Sequence, residues 1–348
     1  MIPVSAYRTG ATPRRTLALL SLLSACLMLL TACGPTGGTS TADGATKPDS
    51  GASAGGETEA AEVTPYDVTP LLKPSKKYLG AALTGVPKSL KPLTKYTDTI
   101  GKQPNVLEYY AAWGDGFDTS GVRRVYNAGA LPFMAWEPFK PSLASIASGK
   151  TDTYLKTFAK NVAALNLPIA ISFGHEMNGD WYAWGRTKTT ASDFVKAWRH
   201  IHDVFEEAGA TNVIWVWTPN VINPAPNVKL KTYYPGDAYV DWAGMIGYYT
   251  LTGAKTFDTL YGPTMRQMRT FTKKPFFISE TASQAGERRR ADINDLFDGV
   301  TANKDVVGFV WFNIPKRADW RIEISPLALA EYKKRAANSR FGFDIRKQ

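Results

Sequence analysis

Two glutamates, Glu176 and Glu280, lie close behind short apolar segments of strand length. Either one alone is equally well explained by a salt bridge at the rim of a fold. As a pair they match the needs of glycosidic bond cleavage, in which one carboxyl group protonates the leaving oxygen and the other attacks the anomeric carbon. Cleavage with retention requires the two groups to lie about 5–5.5 Å apart. The fold must therefore bring these distant residues together.

Apolar runs of strand length recur eight times in the chain, separated by amphipathic stretches or loops. Their near-continuous hydrophobicity is typical of parallel strands that are buried on both faces. Strand and helix alternating eight times predict a (β/α)8 TIM barrel, with a doubly wound sheet as the alternative. The predicted strands are Tyr78–Leu83, Val106–Ala112, Pro132–Trp136, Ile169–Phe173, Val213–Thr218, Ala243–Tyr248, Phe276–Ser279 and Val307–Phe312.

The connections between the strands carry helix signals of their own. Ser192 is predicted to cap a helix whose apolar face runs from Phe194 to Phe205 at spacings of three and four residues. Ser325 followed by Pro326 is typical of a helix start. Residues 221–238 show no helical stripe, which predicts a long loop at the active site. In a TIM barrel the chemistry belongs at the C-terminal ends of the strands, which places the two glutamates at the ends of the fourth and seventh strands.

The residues around both glutamates resemble a known family. The run Gly174–Gly179, with Trp181, Trp184 and Gly185 after it, is similar to the acid/base motif of glycoside hydrolase family 26, whose members include β-mannanases. The run Ile278–Glu280 is similar to the nucleophile segment of the same family. The resemblance implies a retaining, endo-acting hydrolase of a β-linked polysaccharide that needs no cofactor.

The resemblance also implies a role for each matching residue. Glu176 would be the general acid/base and Glu280 the nucleophile. His175 would contact the sugar or Glu176 at the cleaved bond. Tyr248 would hydrogen-bond the nucleophile, with the adjacent Tyr249 as its rival for that role.

Aromatic side chains would complete the cleft. Trp311 resembles the family's tryptophan that forms a platform for the sugar ring, since aromatic faces suit the apolar face of a pyranose. The segment Asp319–Arg321 either reaches distal sugar sites or supports the last helix. For any single tryptophan, packing in the core is the alternative to a place in the cleft. The further cleft residues predicted are Trp136, Glu137, Trp181, Trp184 and Asn220.

The substrate is less defined than the chemistry. β-1,4-Mannan is the first expectation, and mixed-linkage β-glucan, β-1,3-xylan or a polysaccharide made by the cell itself are alternatives. A different class of protein is a non-catalytic carbohydrate-binding lipoprotein. A transport receptor would show two lobes and a hinge, and an inactivated barrel would have lost a glutamate, so the sequence favours an enzyme.

Composition excludes several other classes. The formal net charge is +10, but the basic residues are scattered, which argues against a nucleic-acid partner. The densest basic run, Arg288–Arg290, is predicted to be a solvated helix face. His200 and His202 are predicted to lie on the surface. With a single histidine near the mouth, and both cysteines within the first 33 residues, no metal site is expected.

The N-terminal part of the chain is typical of a secreted lipoprotein. Arginines precede an apolar run that ends at a lipobox-like Leu-Thr-Ala-Cys-Gly, which predicts a signal peptide over residues 1–33 with lipidation of Cys33. Residues 34–63 are rich in Gly, Ser, Thr and Ala and are predicted to form a flexible linker. Residues 64–348 form the predicted barrel. We expect a monomer anchored by lipid at the extracellular face of a bacterial cell membrane.

Overall fold

Eight parallel strands follow one another around a closed barrel, in the order in which they occur along the chain. The computed structural model describes residues 64–348. The first and last strands pair with each other, which confirms the TIM barrel and excludes the doubly wound sheet. Each predicted strand matches an observed one to within two residues at either end. The strands are β1 (Tyr78–Ala82), β2 (Val106–Ala112), β3 (Leu131–Glu137), β4 (Ile169–Phe173), β5 (Val213–Trp217), β6 (Trp242–Ile246), β7 (Phe276–Thr281) and β8 (Val306–Phe312).

Helices connect the strands on the outside of the barrel. No helix among residues 64–348 combines the length and apolar character needed to cross a bilayer. The predicted loop over residues 221–238 contains no α-helix, and two 3-10 turns, Leu230–Tyr233 and Asp237–Tyr239, shape it. A small hairpin, β9 (Pro315–Lys316) and β10 (Ala318–Asp319), follows β8. The helices are α1 (Thr69–Leu72), α2 (Lys91–Ile100), α3 (Thr119–Asn127), α4 (Leu143–Ala147), α5 (Asp152–Leu165), α6 (Ala191–Glu207), α7 (Phe257–Met268), α8 (Arg289–Ala302) and α9 (Pro326–Ala336).

Two helix starts test the predicted caps. The cap of α6 is Thr190 and not Ser192, because the hydroxyl of Thr190 accepts a hydrogen bond from the amide of Asp193 at 3.0 Å. Ser192 lies inside the first turn. The last helix begins at Pro326 after Ser325 as predicted, although the Ser325 side chain accepts no capping hydrogen bond.

Two basic side chains that were predicted to be solvated are buried. Arg289, in the first turn of α8, donates hydrogen bonds to the carbonyls of Trp320 and Arg321, both at 2.9 Å. It therefore fastens the segment after β10 to α8. His202 on α6 packs edge-on against Tyr239, with ring centroids 5.0 Å apart. Helical periodicity missed both side chains because their burial depends on loops that cross over the helices.

The lower interior of the barrel is aromatic. Near the N-terminal ends of the strands, Tyr78, Phe133, Trp242 and Phe277 pack together with ring centroids 4.9 to 6.2 Å apart. Each of these four side chains is fully buried. Large apolar side chains of this kind fill the barrel and make it a packed core instead of a pore.

Above the aromatic layer the interior becomes polar. The hydroxyl of Ser172 donates to that of Thr218 at 2.8 Å, and the hydroxyls of Thr218 and Ser279 lie 3.1 Å apart. Gly244 makes room for this chain of hydroxyls, since a Cβ atom there would lie 2.5 Å from Ser279 Oγ. The interior therefore becomes hydrophilic toward the C-terminal mouth, where charged side chains follow.

Residues 64–72, which we call the N-terminal strap, cover the opposite end of the barrel. Asn166, just before β4, accepts a hydrogen bond from the amide of Tyr66 at 2.7 Å and donates to the carbonyl of Thr64 at 2.8 Å. The indole of Trp242 donates to the carbonyl of Leu72 at 3.0 Å. These contacts tie the strap to the N-terminal ends of the strands, away from the mouth.

Two glycines allow the barrel to close between β1 and β8. A Cβ atom on Gly308 would lie 2.4 Å from Cβ of Tyr78 and 2.5 Å from its carbonyl oxygen. A Cβ atom on Gly80 would lie 2.7 Å from Val310. Because backbone atoms are among the close neighbours, neither position can relax by a simple side-chain rotation.

We expect Gly308→Ala to lower the free energy of unfolding by roughly 1–3 kcal/mol, the usual effect of overpacking a core. Urea denaturation followed by far-ultraviolet circular dichroism measures the change. The matched control is Gly116→Ala, because a Cβ atom there meets nothing within 4 Å. The control should change stability by no more than about 0.5 kcal/mol. Equal midpoints for the two variants would contradict the role of Gly308 in closure.

Candidate active site

Glu280 faces the mouth because a β-bulge interrupts the alternation of side chains on β7. Ser279 points inward toward Thr218. Thr281 points outward, where its hydroxyl accepts a hydrogen bond from Tyr261 of α7 at 2.7 Å. The pairing of β7 with β6 and with β8 shifts register here, so two consecutive side chains face the interior. Without the bulge, Glu280 would point into the helix layer.

Two tyrosine hydroxyls hydrogen-bond the carboxylate of Glu280. Tyr110 of β2 donates to one oxygen, and Tyr248, two residues after β6, donates to the other. Tyr249 points away and donates to Asp295 of α8 at 2.9 Å. The geometry therefore separates the two rival tyrosines. Tyr110 was missed in the sequence because it lies inside an apolar strand and not at its end.

Glu176 lies in a turn after β4, in an uncommon backbone conformation. Its φ angle is 55°, in the left-handed region that residues other than glycine rarely adopt. Its amide donates to the carbonyl of Thr218 at 2.7 Å, and its carbonyl accepts from the amide of Gly179 at 2.9 Å. These bonds hold a conformation that costs roughly 1–3 kcal/mol. Such strain is characteristic of functional positions.

The side chain of Glu176 has two hydrogen-bond donors. The indole of Trp181 donates to one oxygen at 3.1 Å, and the amide of Asn220 donates to the other. Asn178 fixes Asn220 through two 2.8 Å bonds to its backbone amide and carbonyl. A Cβ atom on Gly179 would lie 2.5 Å from the Trp181 ring. The Asn-Gly pair of the motif therefore serves to orient the donors around Glu176.

His175 is enclosed next to Glu176 and is neutral. Its Nε2 lies 3.0 Å from the hydroxyl of Tyr182 and 4.0 Å from the carboxylate of Glu137. Burial and the positive charge of Lys316 lower the pKa of His175 to about 3. Trp184 stacks on Tyr182 at 4.2 Å and donates to the carbonyl of His175 at 2.7 Å. Trp184 is therefore a buried support for His175 and does not line the cleft as predicted.

Trp136 and Trp311 also lie in the core and not in the cleft. Trp136 is sandwiched in parallel between Trp113 and Phe158, each 4.5 Å away. Trp311 packs edge-on against Tyr332 of α9 at 5.3 Å. Both tryptophans are fully buried. The predicted cleft positions are wrong because these side chains point outward from β3 and β8 into the helix layer.

Four glutamates occupy the mouth, and one of them was not identified from the sequence. Glu108 of β2 is buried, and one of its oxygens has no hydrogen-bond partner among residues 64–348. Burial, and then the charges of Glu280, Glu137 and Glu176, raise the pKa of Glu108 well above its usual range. A neutral carboxyl group at this position limits the negative charge of the site. The half-buried ammonium group of Lys316 opposes the rise.

The two central carboxyl groups have different environments. Burial, followed by the charge of Glu280, raises the pKa of Glu176 to about 8, against the opposing effect of its two donors and of Lys316. Burial also raises the pKa of Glu280, but the hydroxyls of Tyr110 and Tyr248 and the charge of Lys316 oppose that rise. The arrangement favours the proton on Glu176 over Glu280.

A cleft of about 640 Å³ is linked to this pair through Tyr248, and neither glutamate lines it directly. Tyr248, which contacts Glu280, and Trp320 line it, with ring centroids 4.7 Å apart and planes inclined by 43°. Trp320 belongs to the segment Asp319–Arg321, for which the sequence left two roles open. Its ring lines the cleft although it is only 6% exposed, whereas Trp311 is fully buried.

One group of potential metal ligands occurs among residues 64–348. His202, Asp203 and Glu206 place one ligand atom each within 4.8 Å of one another. They lie near the C-terminal end of α6, at the level where the next strand begins, and two of the three are exposed. This group takes no part in the candidate active site.

Comparison with known proteins gives a family match and relatives. Residues 145–272 match the model of Glycosyl hydrolase family 26. Endoglucanase H of Acetivibrio thermocellus is 31% identical over 268 residues, which cover 72% of this chain and 29% of that protein. A mannan endo-1,4-beta-mannosidase of Bacillus subtilis is 32% identical over 148 residues, which cover 40% of this chain and 35% of that protein. The chain spans less than half the length of these curated relatives.

A solved structure agrees with the fold. The catalytic domain of Bacillus sp. JAMB-750 GH26 Endo-beta-1,4-mannanase superposes with a TM-score of 0.64 at 14% sequence identity. The alignment covers 79% of this chain and 90% of that one. At this level of identity the match supports the barrel fold and carries no information about the substrate.

We expect Glu176→Gln to flatten the dependence of stability on pH. The pKa of Glu176 is about 8 in the folded protein and roughly 4.3 in an unfolded chain. Between these values the folded state binds more protons, so the wild-type free energy of unfolding falls as pH rises. The neutral amide removes this contribution. Urea denaturation at intervals from about pH 4.5 to 8.5 measures it.

The control for this experiment is Glu207→Gln, which removes an exposed carboxylate at the end of α6. Its stability profile should run parallel to that of the wild type. If the Glu176→Gln profile is also parallel to the wild type, the pKa of Glu176 is not raised.

Proposed function

We propose, on the premise that residues 145–272 match the model of Glycosyl hydrolase family 26, that the protein is a retaining, endo-acting hydrolase of a β-linked polysaccharide. The observation that carries the proposal is the contrast between Glu176 and Glu280. One buried carboxyl group has a pKa raised to about 8, and the other accepts hydrogen bonds from two tyrosines. An acid and a nucleophile need this difference in protonation.

The first step joins the sugar to the enzyme. Glu280 attacks the anomeric carbon while Glu176 transfers its proton to the glycosidic oxygen, so the bond to the leaving sugar breaks as the bond to Glu280 forms. In the second step Glu176, now ionised, takes a proton from water as the water oxygen attacks the same carbon and releases Glu280. Trp181 and Asn220 hold Glu176 in place for both proton transfers.

The remaining residues have supporting roles in this mechanism. Tyr248 and Tyr110 orient the carboxylate of Glu280 and hold it in its charged form. The ring of His175 is fixed by Tyr182 and is neutral, so it does not compete with Glu176 as the acid that protonates the glycosidic oxygen. Trp320 takes the place of Trp311 as the proposed sugar platform.

β-1,4-Mannan is the proposed substrate, with β-glucan as the second candidate. The mannan endo-1,4-beta-mannosidase of Bacillus subtilis supports the first, and Endoglucanase H of Acetivibrio thermocellus supports the second. The relatives differ in the polymer that they are named for, so the substrate is decided by the walls of the cleft more than by the catalytic pair.

We also propose that the enzyme is a lipoprotein at the extracellular face of the cell membrane. The support is the lipobox-like sequence at Cys33 and the linker composition of residues 34–63, both of which lie outside the described residues. We expect metabolic labelling with a fatty acid analogue to mark the full-length protein and not Cys33→Ala. Equal labelling of both proteins would contradict lipidation at this cysteine.

The function is tested by reducing-sugar release from mannan, galactomannan, mixed-linkage glucan, β-1,3-glucan and β-1,3-xylan. We expect release from at least one polymer by the full-length protein and none by Glu280→Ala, which lacks the nucleophile. Glu176→Ala should slow polymer hydrolysis by roughly 10²–10⁴-fold, the usual contribution of general acid catalysis. Its activity on aryl glycosides with good leaving groups should fall much less, because these need no proton.

Glu207→Ala, at an exposed position on α6, is the matched control and should retain wild-type activity. Undiminished hydrolysis by Glu280→Ala would eliminate this residue as the nucleophile. If the folded wild type releases no reducing sugar from any of the five polymers but binds to a glycan array, the result would support the sugar-binding alternative.

A further inference from the structure

The hairpin after β8 carries two successive cations into the mouth. Its strands pair Lys316 with Ala318, which leaves Arg317 alone at the tip. Arg317 has a φ angle of 59°, in the left-handed region that is unfavourable for a residue with a side chain. The indole of Trp320 donates to the carbonyl of Lys316 at 3.0 Å and braces the hairpin. The two cations are therefore held at a defined position.

The positive charge of Lys316 is balanced by the negative charge of carboxyl groups in the mouth. Its ammonium group lies 5.9 Å from the ring centre of Tyr110, which itself hydrogen-bonds Glu280. Burial lowers the pKa of Lys316, and the charges of Glu280 and Glu137 oppose that effect. Lys316 thus balances the negative charge inside the mouth.

Arg317 has a different environment. It is exposed and lines the cleft beside Tyr248 and Trp320, and no aspartate or glutamate lines this cleft. Its guanidinium group forms no ion pair with any residue of the described range 64–348. A cation without a carboxylate partner, in the cleft that Tyr248 lines, is not required by the hydrolytic mechanism itself.

The other walls of the cleft suit a sugar. The largely buried rings of Tyr248 and Trp320 line the cleft, and Thr250 and Gln284 offer donors and acceptors for hydroxyl groups. These groups are sufficient for a neutral sugar. The planar guanidinium group of Arg317 adds a fork of donors that matches the two oxygens of a carboxylate.

We propose that this cleft binds a sugar that carries a carboxylate, with Arg317 as its ion-pair partner. The inference rests on the proposed function and makes its substrate more specific: the mannan or β-glucan backbone carries acidic residues or acidic substituents. Lys316 contributes to the positive potential of the cleft, but its charge is largely committed to the glutamates. Arg317 is therefore the residue that distinguishes acidic from neutral sugars.

The test compares the neutral form of each of two polymers with two acidic forms of the same polymer. A β-1,4-mannan and a mixed-linkage β-glucan are each oxidised at a fraction of their C6 hydroxyls, and a second sample of each is carboxymethylated. The readout is the ratio of kcat/KM on the acidic form to kcat/KM on the neutral form. We expect the wild type to prefer an acidic form by roughly tenfold, the effect of one charge-assisted hydrogen bond, and added salt to reduce this preference.

Arg317→Gln should bring the ratio close to one. The matched control is Arg340→Gln, which makes the same substitution at an exposed position beside the start of β1, at the closed end of the barrel. It should keep the wild-type ratio. A preference for the C6-oxidised polymer alone identifies a uronic residue, and a preference for the carboxymethylated polymer alone identifies an acidic substituent.

The inference is overturned if the wild type cleaves the neutral form as fast as the acidic forms, or if Arg317→Gln keeps the preference. Binding separates this failure from a failure of the proposed function. If no polymer is cleaved, calorimetric titration with neutral and C6-oxidised hexasaccharides still decides the point. Tighter binding of the oxidised form that is lost in Arg317→Gln supports the cleft assignment, and equal or absent binding rejects it.

Discussion

The burial of several carboxyl groups in one mouth is the constraint on which the site depends. A carboxylate withdrawn from water is strongly destabilised unless it is paired or protonated. The barrel meets this requirement differently for each group. Burial raises the pKa values of Glu108 and Glu176 and so favours their protonated forms, whereas the hydroxyls of Tyr110 and Tyr248 oppose the rise at Glu280. Lys316 supplies a positive charge from a loop outside the barrel wall. The difference in protonation that catalysis requires is thus also the arrangement that limits the cost of burying these groups.

The strands and both glutamates could be predicted from the sequence for physical reasons. Parallel strands that are buried on both faces leave continuous apolar runs, and polar residues directly after such runs lie at one end of a barrel. The same continuity conceals which way a side chain points. Trp136 and Trp311 therefore gave no sign that they face the helices, and Tyr110 gave no sign that it faces the mouth.

Other features depend on contacts between distant segments. The inward direction of Glu280 results from a bulge that only strand pairing reveals. The burial of Arg289 and His202 depends on loops that cover α8 and α6, and helical periodicity contains no information about those loops. Lys316 and Arg317 belong to a five-residue hairpin, too short to produce a pattern. The motif around Glu176 combines both kinds of contact, because Gly179 makes room for the nearby Trp181 whereas Asn178 holds Asn220 on a distant segment.

The N-terminal strap gives the barrel a direction. Thr64 is held by Asn166, just before β4, and at the other end of the described chain the amide of Ile345 donates to the carbonyl of Gly129, just before β3. Both ends of the described chain therefore lie at the N-terminal ends of the strands, and the mouth lies at the opposite end of the barrel. A module or surface joined through either terminus would therefore lie on the side away from the mouth, so that a long polymer could lie across the mouth without meeting the point of attachment.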